Sequence, residues 1–207
     1  RDGRLYRGRT GAAWLLSAPA ARRAGVDAGA WLHRSDDGLR AAWADEDPPD
    51  LAAVSAELAR YGVTGVTDAT PFAGADGFTT LAAARRRGDL LQRTVVTGGS
   101  ALTEETPPDD LDLGPLKLIV GDHDLPDPDD LAATIVAAHR AGRSVAVHCV
   151  TRVATVLALV AWQSAGARPG DRIEHGSVIP LELLPTIAAL DITVVTQPAF
   201  VRARGDA

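Results

Sequence analysis

From about residue 60 onward, short runs rich in β-branched residues alternate with Ala- and Leu-rich stretches of roughly 10–15 residues. The runs are "GVTGVTDA" (62–69), "LQRTVVTG" (91–98), "PLKLIVG" (115–121), "SVAVHCV" (144–150), "RIEHGSV" (172–178) and "DITVVTQ" (191–197). Near-continuous apolar character marks a strand covered on both faces, so most of these read as parallel strands. Between them "GFTTLAAARRRG", "DPDDLAATIVAAHRAG", "RVATVLALVAWQSAG" and "PLELLPTIAAL" read as helices. The helix ends agree. Asp129 and Asp130 suit a first turn, and Gly88, Gly142 and Gly166 suit C-terminal stops. Six βα steps in succession predict an α/β fold, either a doubly wound sheet or most of a (β/α)8 barrel.

Two stretches break the alternation. The link "GSALTEETPPDDLDLG" (99–114) has no helical face, is rich in Pro and Asp, and reads as a loop with room for one helical turn. Residues 1–59 carry tryptophans at 14, 31 and 43, then "DEDPPD" before a helix from about 50 to 60. They read as an appended helical segment. The expected organisation is therefore a helical inserted segment over 1–59 and a partial barrel over 60–207.

Composition narrows the function classes. The 207 residues are 46% hydrophobic and 23% charged, as in an ordinary globular protein. A net charge of −6 and a pI near 5.3 disfavour nucleic acid and anionic membrane as partners, which leaves a small molecule as the expected ligand. No apolar run approaches the roughly 20 residues of a membrane span, and "RDGRLYRGRT" lacks a secretory segment, so a cytoplasmic setting is expected. Cys149 is the single cysteine, which rules out an internal disulfide framework. Methionine is absent, so the sequence does not begin at an ordinary initiator residue.

Candidate chemistry sits inside the strands. Lys117, the one lysine among twenty-one basic residues, lies in an apolar run, and His148 and His175 occupy the ends of "VAVH" and "RIEH". In a parallel barrel the C-terminal ends of the strands face a common cleft, where a neutral imidazole is a ligand for zinc or a similar ion. Each histidine alone is equally well read as a core residue bonded to backbone. Burial disfavours the charged form of a lysine, and a neutral amine can take up carbon dioxide as a carbamate able to bridge two metals. The other reading of Lys117 is a strand-end side chain reaching solvent or pairing with Asp122.

Together, "LKLIVGD", "VAVHCVTRVAT", "RIEHGSVIP" and "TVVTQPAF", with "GVTGVTDAT" before them, resemble successive strand motifs of the amidohydrolase superfamily, in the branch called amidohydrolase family 3. The resemblance covers most of 62–202. It implies a metal-dependent (β/α)8 hydrolase of C–N bonds in amides, ureas, cyclic imides or N-acyl compounds. It implies that Lys117 is the strand-four lysine that is often carboxylated, and that His148 and His175 are the metal-binding histidines of strands five and six. The metal would be divalent, with zinc expected. Gln197, with Pro198, matches the end of strand seven as a substrate contact, and Asp68 ends strand two where it lines the cleft or caps a turn.

The sequence also departs from that family. No His-x-His pair of strand one occurs, and no strand-eight aspartate follows "TVVTQPAF", Asp206 being too close to strand seven to serve. The catalytic base is therefore unassigned. Thr151 and Arg152 stand where the family often has Gly-Asp. The chain is expected to be an internal piece holding strands two to seven, to bind metal weakly or not at all by itself, and to expose two sheet edges open to pairing with another copy. The competing expectation is a metal-free degenerate barrel serving as a binding or assembly module. A third, a doubly wound cofactor domain, suffers from the lack of a G-x-G-x-x-G after any strand. Glu174 and Cys149 are expected to alternate away from their neighbouring histidines, toward the helices. Asp122, His123 and Asp124 read as a solvated acidic loop, and His33 and His139 as surface residues without a role.

Overall fold

The structure is a computed structural model that describes residues 5–7, 13–27, 29, 31–33, 36–43, 50–71, 74–121 and 124–199. The chain divides into two compact units, 1–49 and 50–207.

In the first unit, β1 (Leu5–Arg7), β2 (Ala13–Leu16) and β3 (Trp31–His33) form an antiparallel sheet in the order β1-β2-β3. Helices α1 (Ala18–Ala24) and α2 (Asp36–Ala42) accompany it. Leu16, Ala20, Ala21 and Leu39 form its core. Arg23 lies 5.0 Å over the Trp43 ring and donates from Nε to the Ala42 carbonyl. The expectation of a helical segment is corrected in part: α1 and α2 are present, but three short strands also pair across the unit, which no run in 1–49 is long enough to signal. The division falls after Pro49, so the helix expected at its end belongs to the second unit.

That helix is α3 (Leu51–Arg60), capped by the Asp50 carboxylate, which accepts from Ala52 N–H at 2.9 Å. There follow β4 (Gly65–Asp68), α4 (Ala75–Arg87), β5 (Arg93–Val96), β6 (Leu111–Leu113), β7 (Leu116–Ile119), α5 (Pro128–Arg140), β8 (Val145–Cys149), α6 (Arg152–Ala165), β9 (Arg172–His175), α7 (Leu184–Ala189) and β10 (Thr193–Thr196). All six expected strands are present. The 99–114 link does hold one turn of 3-10 helix at Ser100–Leu102, and it ends in an unforeseen strand, β6.

β4, β5 and β6 pair in parallel, and so do β7, β8, β9 and β10. β6 and β7 are two halves of one extended segment interrupted at Gly114–Pro115. Proline has no N–H for the ladder, which accounts for the break. On either side of it Gly114 N–H donates to the Val96 carbonyl and Lys117 N–H to the Gly98 carbonyl, both at 2.9 Å, so the β5 edge runs on past the interruption. A β-carbon at Gly114 would lie 2.6 Å from Val95 Cγ1, so only glycine permits this approach. The buried Arg143 guanidinium locks the corner by donating to the carbonyls of Thr97, Gly99 and Gly114 and to Thr103 Oγ1.

The strands thus follow one another in space as they do in sequence. A doubly wound sheet reverses its strand order at a switch point, and no reversal occurs among the described strands. One face of β7–β9 is apolar. Leu116, Val145, Val147, Cys149 and Ile173 pack there against Leu131 and Ile135 of α5, Leu159 and Trp162 of α6, and Ile187 of α7. Phe78 and Ala82 of α4 cover Val96 and Leu111 in the same way.

The starts of β8, β9 and β10 share one buried residue, Asp171. Asp171 accepts from Val145 N–H at 2.8 Å and from Arg168 N–H at 3.0 Å, and its backbone carbonyl accepts from Thr193 N–H at 3.1 Å. His139 Nε2 lies 3.0 Å from the same carboxylate, so this histidine has a structural role instead of a surface one. Asp171→Ala leaves the buried Val145 N–H and the half-buried Arg168 N–H without acceptors and should cost about 3 kcal/mol. Asp171→Asn keeps one acceptor oxygen and should cost less. Urea denaturation of the three proteins measures both.

Candidate active site

The second face of the β7–β9 sheet carries the polar residues. In a parallel ladder, residues in register share a face. Lys117 pairs with Ala146, and Ala146 with Arg172; Ile119 pairs with His148, and His148 with Glu174. Since Leu116, Val147 and Ile173 face the helices, these two rows face the other way, toward what would be the inside of a barrel. Lys117 and His148 therefore lie on one face, with His148 one row nearer the strand ends.

His175 belongs to the opposite row, in register with Cys149 and Thr196. Strict alternation would send it toward the helices. Its φ of +72° ends the strand, and its ring centroid comes within 4.6 Å of the His148 centroid with the rings inclined at 72°. A side chain in the left-handed region costs roughly 1–2 kcal/mol, so the surroundings must hold it there. Gly176 follows at φ +51°, and a β-carbon on it would stand 2.8 Å from Val194 Cγ1 and 2.9 Å from Ile179 Cδ1. Gly176 N–H donates to the Cys149 carbonyl at 3.1 Å, and His175 Nδ1 lies 3.2 Å from Gln197 Oε1.

The reversal at His175 corrects the expected orientation of Glu174. Counting alternation from an inward His175 places Glu174 against the helices, but Ile173 takes that place and Glu174 points inward. It does meet an arginine there: Arg172 Nε lies 2.5 Å from Glu174 Oε1, two residues apart on one face. Sequence reasoning passed over both as site residues. The signal for them was the period-two pattern of "DRIEH" itself, with one apolar residue between two charges.

Lys117 is 6% exposed and Glu174 8%. Burial pushes the Lys117 ammonium below its ordinary range; Glu174 acts against that shift and Arg172 adds to it. Burial pushes the Cys149 thiol up to about 12, and its Sγ lies in the helix-facing core, which fits a packing residue and not a nucleophile.

Of the remaining candidates, Gln197 alone lies beside the histidine pair among the described residues. Asp68 ends β4, and its Oδ1 accepts from Thr70 N–H at 3.0 Å and Thr70 Oγ1 at 2.6 Å, an Asx-type turn of its own. Gln197 is exposed beside His175. Thr151 caps α6, accepting from Ala154 N–H, and Arg152 pairs with Glu182 at 2.9 Å. Asp124 is exposed and forms a β-bridge with Gly121. Asp122, His123 and Asp206 lie outside the described residues, as does the His33 side chain. Among the described residues no three His, Cys, Asp or Glu side chains group as a metal site, and no helix is long and apolar enough to cross a membrane.

The His148 and His175 rings thus meet edge to face at the ends of adjacent parallel strands. Two solved structures resemble the chain in fold. An uncharacterized metal-dependent hydrolase from Pyrococcus furiosus superposes with a TM-score of 0.70 at 18% identity, over 95% of this chain and 50% of its own length. An uncharacterized metal-dependent hydrolase from Pyrococcus horikoshii OT3 superposes with a TM-score of 0.72 at 16% identity, over 96% of this chain and 49% of its own length. The chain shares their fold. It spans about half the length of the solved structures it matches. No protein-family model matches the chain, and no curated protein matches it significantly.

Because burial opposes the charge on Lys117, Lys117→Met should raise stability at pH 7. The sign follows from linkage. A base with a depressed folded pKa leaves the unfolded chain binding more protons as pH climbs toward the ordinary lysine value of 10.5, so wild-type stability rises across that window. The advantage of Lys117→Met should therefore shrink between neutral pH and pH 10.5, and denaturation curves at several pH values measure it.

Proposed function

We propose that the chain forms the central part of a metal-dependent hydrolase that cleaves amide-type C–N bonds, in a (β/α)8 barrel of which β4, β5, β6/β7, β8, β9 and β10 are strands two to seven. The observation that carries this reading is the meeting of the His148 and His175 rings at neighbouring strand ends, on the sheet face that also holds the buried Lys117. The fold shared with two proteins named metal-dependent hydrolases supports it, as do the family-like motifs around the same residues.

In this reading His148 and His175 hold a divalent ion, zinc by ligand type. The ion supplies Lewis acidity toward a substrate carbonyl and acidifies water. Burial eases loss of the Lys117 proton, and the free amine could attack carbon dioxide, form an N–C bond and release a proton, leaving a carbamate anion on the same face. Glu174 and Arg172 pair with each other and so leave the face nearly balanced in charge. Gln197 and Asp68 stand at strand ends, where a small-molecule substrate would enter. The protein acts in the cytoplasm, with no nucleic-acid or membrane partner, and its strand edges suit association with further strands.

The second reading is a metal-free barrel serving as a binding or assembly module. It is favoured by one observation, that no group of three His, Cys, Asp or Glu side chains forms among the described residues. A zinc titration of the 15N-labelled chain, followed by the imidazole signals, separates the two. The hydrolase reading expects His148 and His175 to shift together, with an affinity that falls about tenfold or more in His148→Ala and in His175→Ala. Rings unaffected by zinc, or an affinity unchanged by both substitutions, would count against metal binding by these two histidines and so favour the metal-free module.

A further inference from the structure

The two histidines of the site are held by different means. His148 sits within β8, where the regular ladder sets its backbone, whereas His175 lies where the ladder ends, in a left-handed conformation that no strand enforces. Something else must hold its ring. Thr196 is in register with His175 on the adjacent strand, so the next residue, Gln197, leaves β10 beside the ring. Its Oε1 lies 3.2 Å from His175 Nδ1. An amide oxygen only accepts, so a hydrogen bond in this geometry requires the hydrogen on Nδ1 and leaves the lone pair on Nε2. Ring nitrogens that bind metals are commonly selected this way, by the bond that the other nitrogen makes.

We infer that Gln197 is a positioning residue, whose side-chain oxygen holds His175 as the Nδ1–H tautomer and turns Nε2 toward His148. This rests on the metal-ligand role proposed for His175 and assigns Gln197 to the site's own framework instead of to the substrate. The division of labour is physical. Gly176, which no other residue can replace without striking Val194 and Ile179, lets the backbone turn; Gln197 then selects which nitrogen the turned ring presents.

The test uses the full 207-residue chain, 15N-labelled, at about pH 8.5, where imidazoles are neutral. Two-bond 15N–1H correlation spectra assign the tautomer of His175 in the absence of metal. The wild-type protein should show the Nδ1–H form. Gln197→Leu, which removes the acceptor at an exposed position and should not perturb folding, should move His175 largely to the Nε2–H form. Gln197→Glu, which keeps an acceptor oxygen, should restore Nδ1–H. An Nε2–H tautomer in the wild-type protein, meaning that the amide donates to Nδ1, overturns the inference. So does a tautomer that Gln197→Leu leaves unchanged. A zinc titration of the same samples adds a second readout: Gln197→Leu should weaken the response of His175 about tenfold or more, and Gln197→Glu should recover it. If zinc shifts neither histidine of the wild-type protein, the proposed metal site fails while the tautomer result still decides the role of Gln197.

Discussion

The site depends on the parallel register of β8, β9 and β10, and that register is fixed at the far end of the strands by Asp171. One residue ahead of β9, it binds the first N–H of β8 through its carboxylate and the first N–H of β10 through its backbone carbonyl. Three strands therefore start level. A slip of one residue would flip every side chain to the other face of the sheet, and with it His148 and Glu174 into the helical core. Placing a fully buried carboxylate at this point is costly unless its oxygens are satisfied, which Val145, Arg168 and His139 accomplish.

The two faces of the resulting sheet follow opposite physics. Toward the helices, Val145, Val147, Cys149 and Ile173 make a close-packed layer with α5, α6 and α7. The other face holds a lysine, an arginine, a glutamate and a histidine within three adjacent strands. An inner sheet face selected only for stability would be filled with branched apolar side chains. Arg172 and Glu174 lower the cost by pairing, but Lys117 stays buried with its charged form disfavoured. Ala146, completely buried between Lys117 and Arg172, is small enough to leave room for both long side chains.

Backbone conformation supplies the last element. β8 delivers His148 by ordinary alternation, whereas β9 delivers His175 by abandoning alternation at its final residue. The cost of that left-handed residue is met by the Gly176 bond to the Cys149 carbonyl and by the Gln197 contact. The histidine pair thus joins one rigid strand position to one strained strand end.

Much of this was legible in the residues alone, for local reasons. β-branched apolar runs of strand length cannot be buried except as strands, so the six strands, the helices between them and the ends at Gly88 and Gly142 follow from propensity and period. The histidines at strand ends and the single buried lysine were equally visible, because polar residues stand out in apolar runs. What local pattern does not contain is pairing. β6 and the three strands of the first unit are three or four residues each, and they exist because neighbours complete their hydrogen bonds. The break at Gly114–Pro115 is a strand interruption only because β5 continues beside it. The inward turn of Glu174 and the outward face of Ile173 depend on where alternation stops, and the crowding of Gly176 by Val194 and Ile179, residues of other segments, decides that point. Sequence period therefore determined which residues could line the site, while contacts between distant segments decided which of them face one another, because a strand's two faces are equivalent until something packs against one of them.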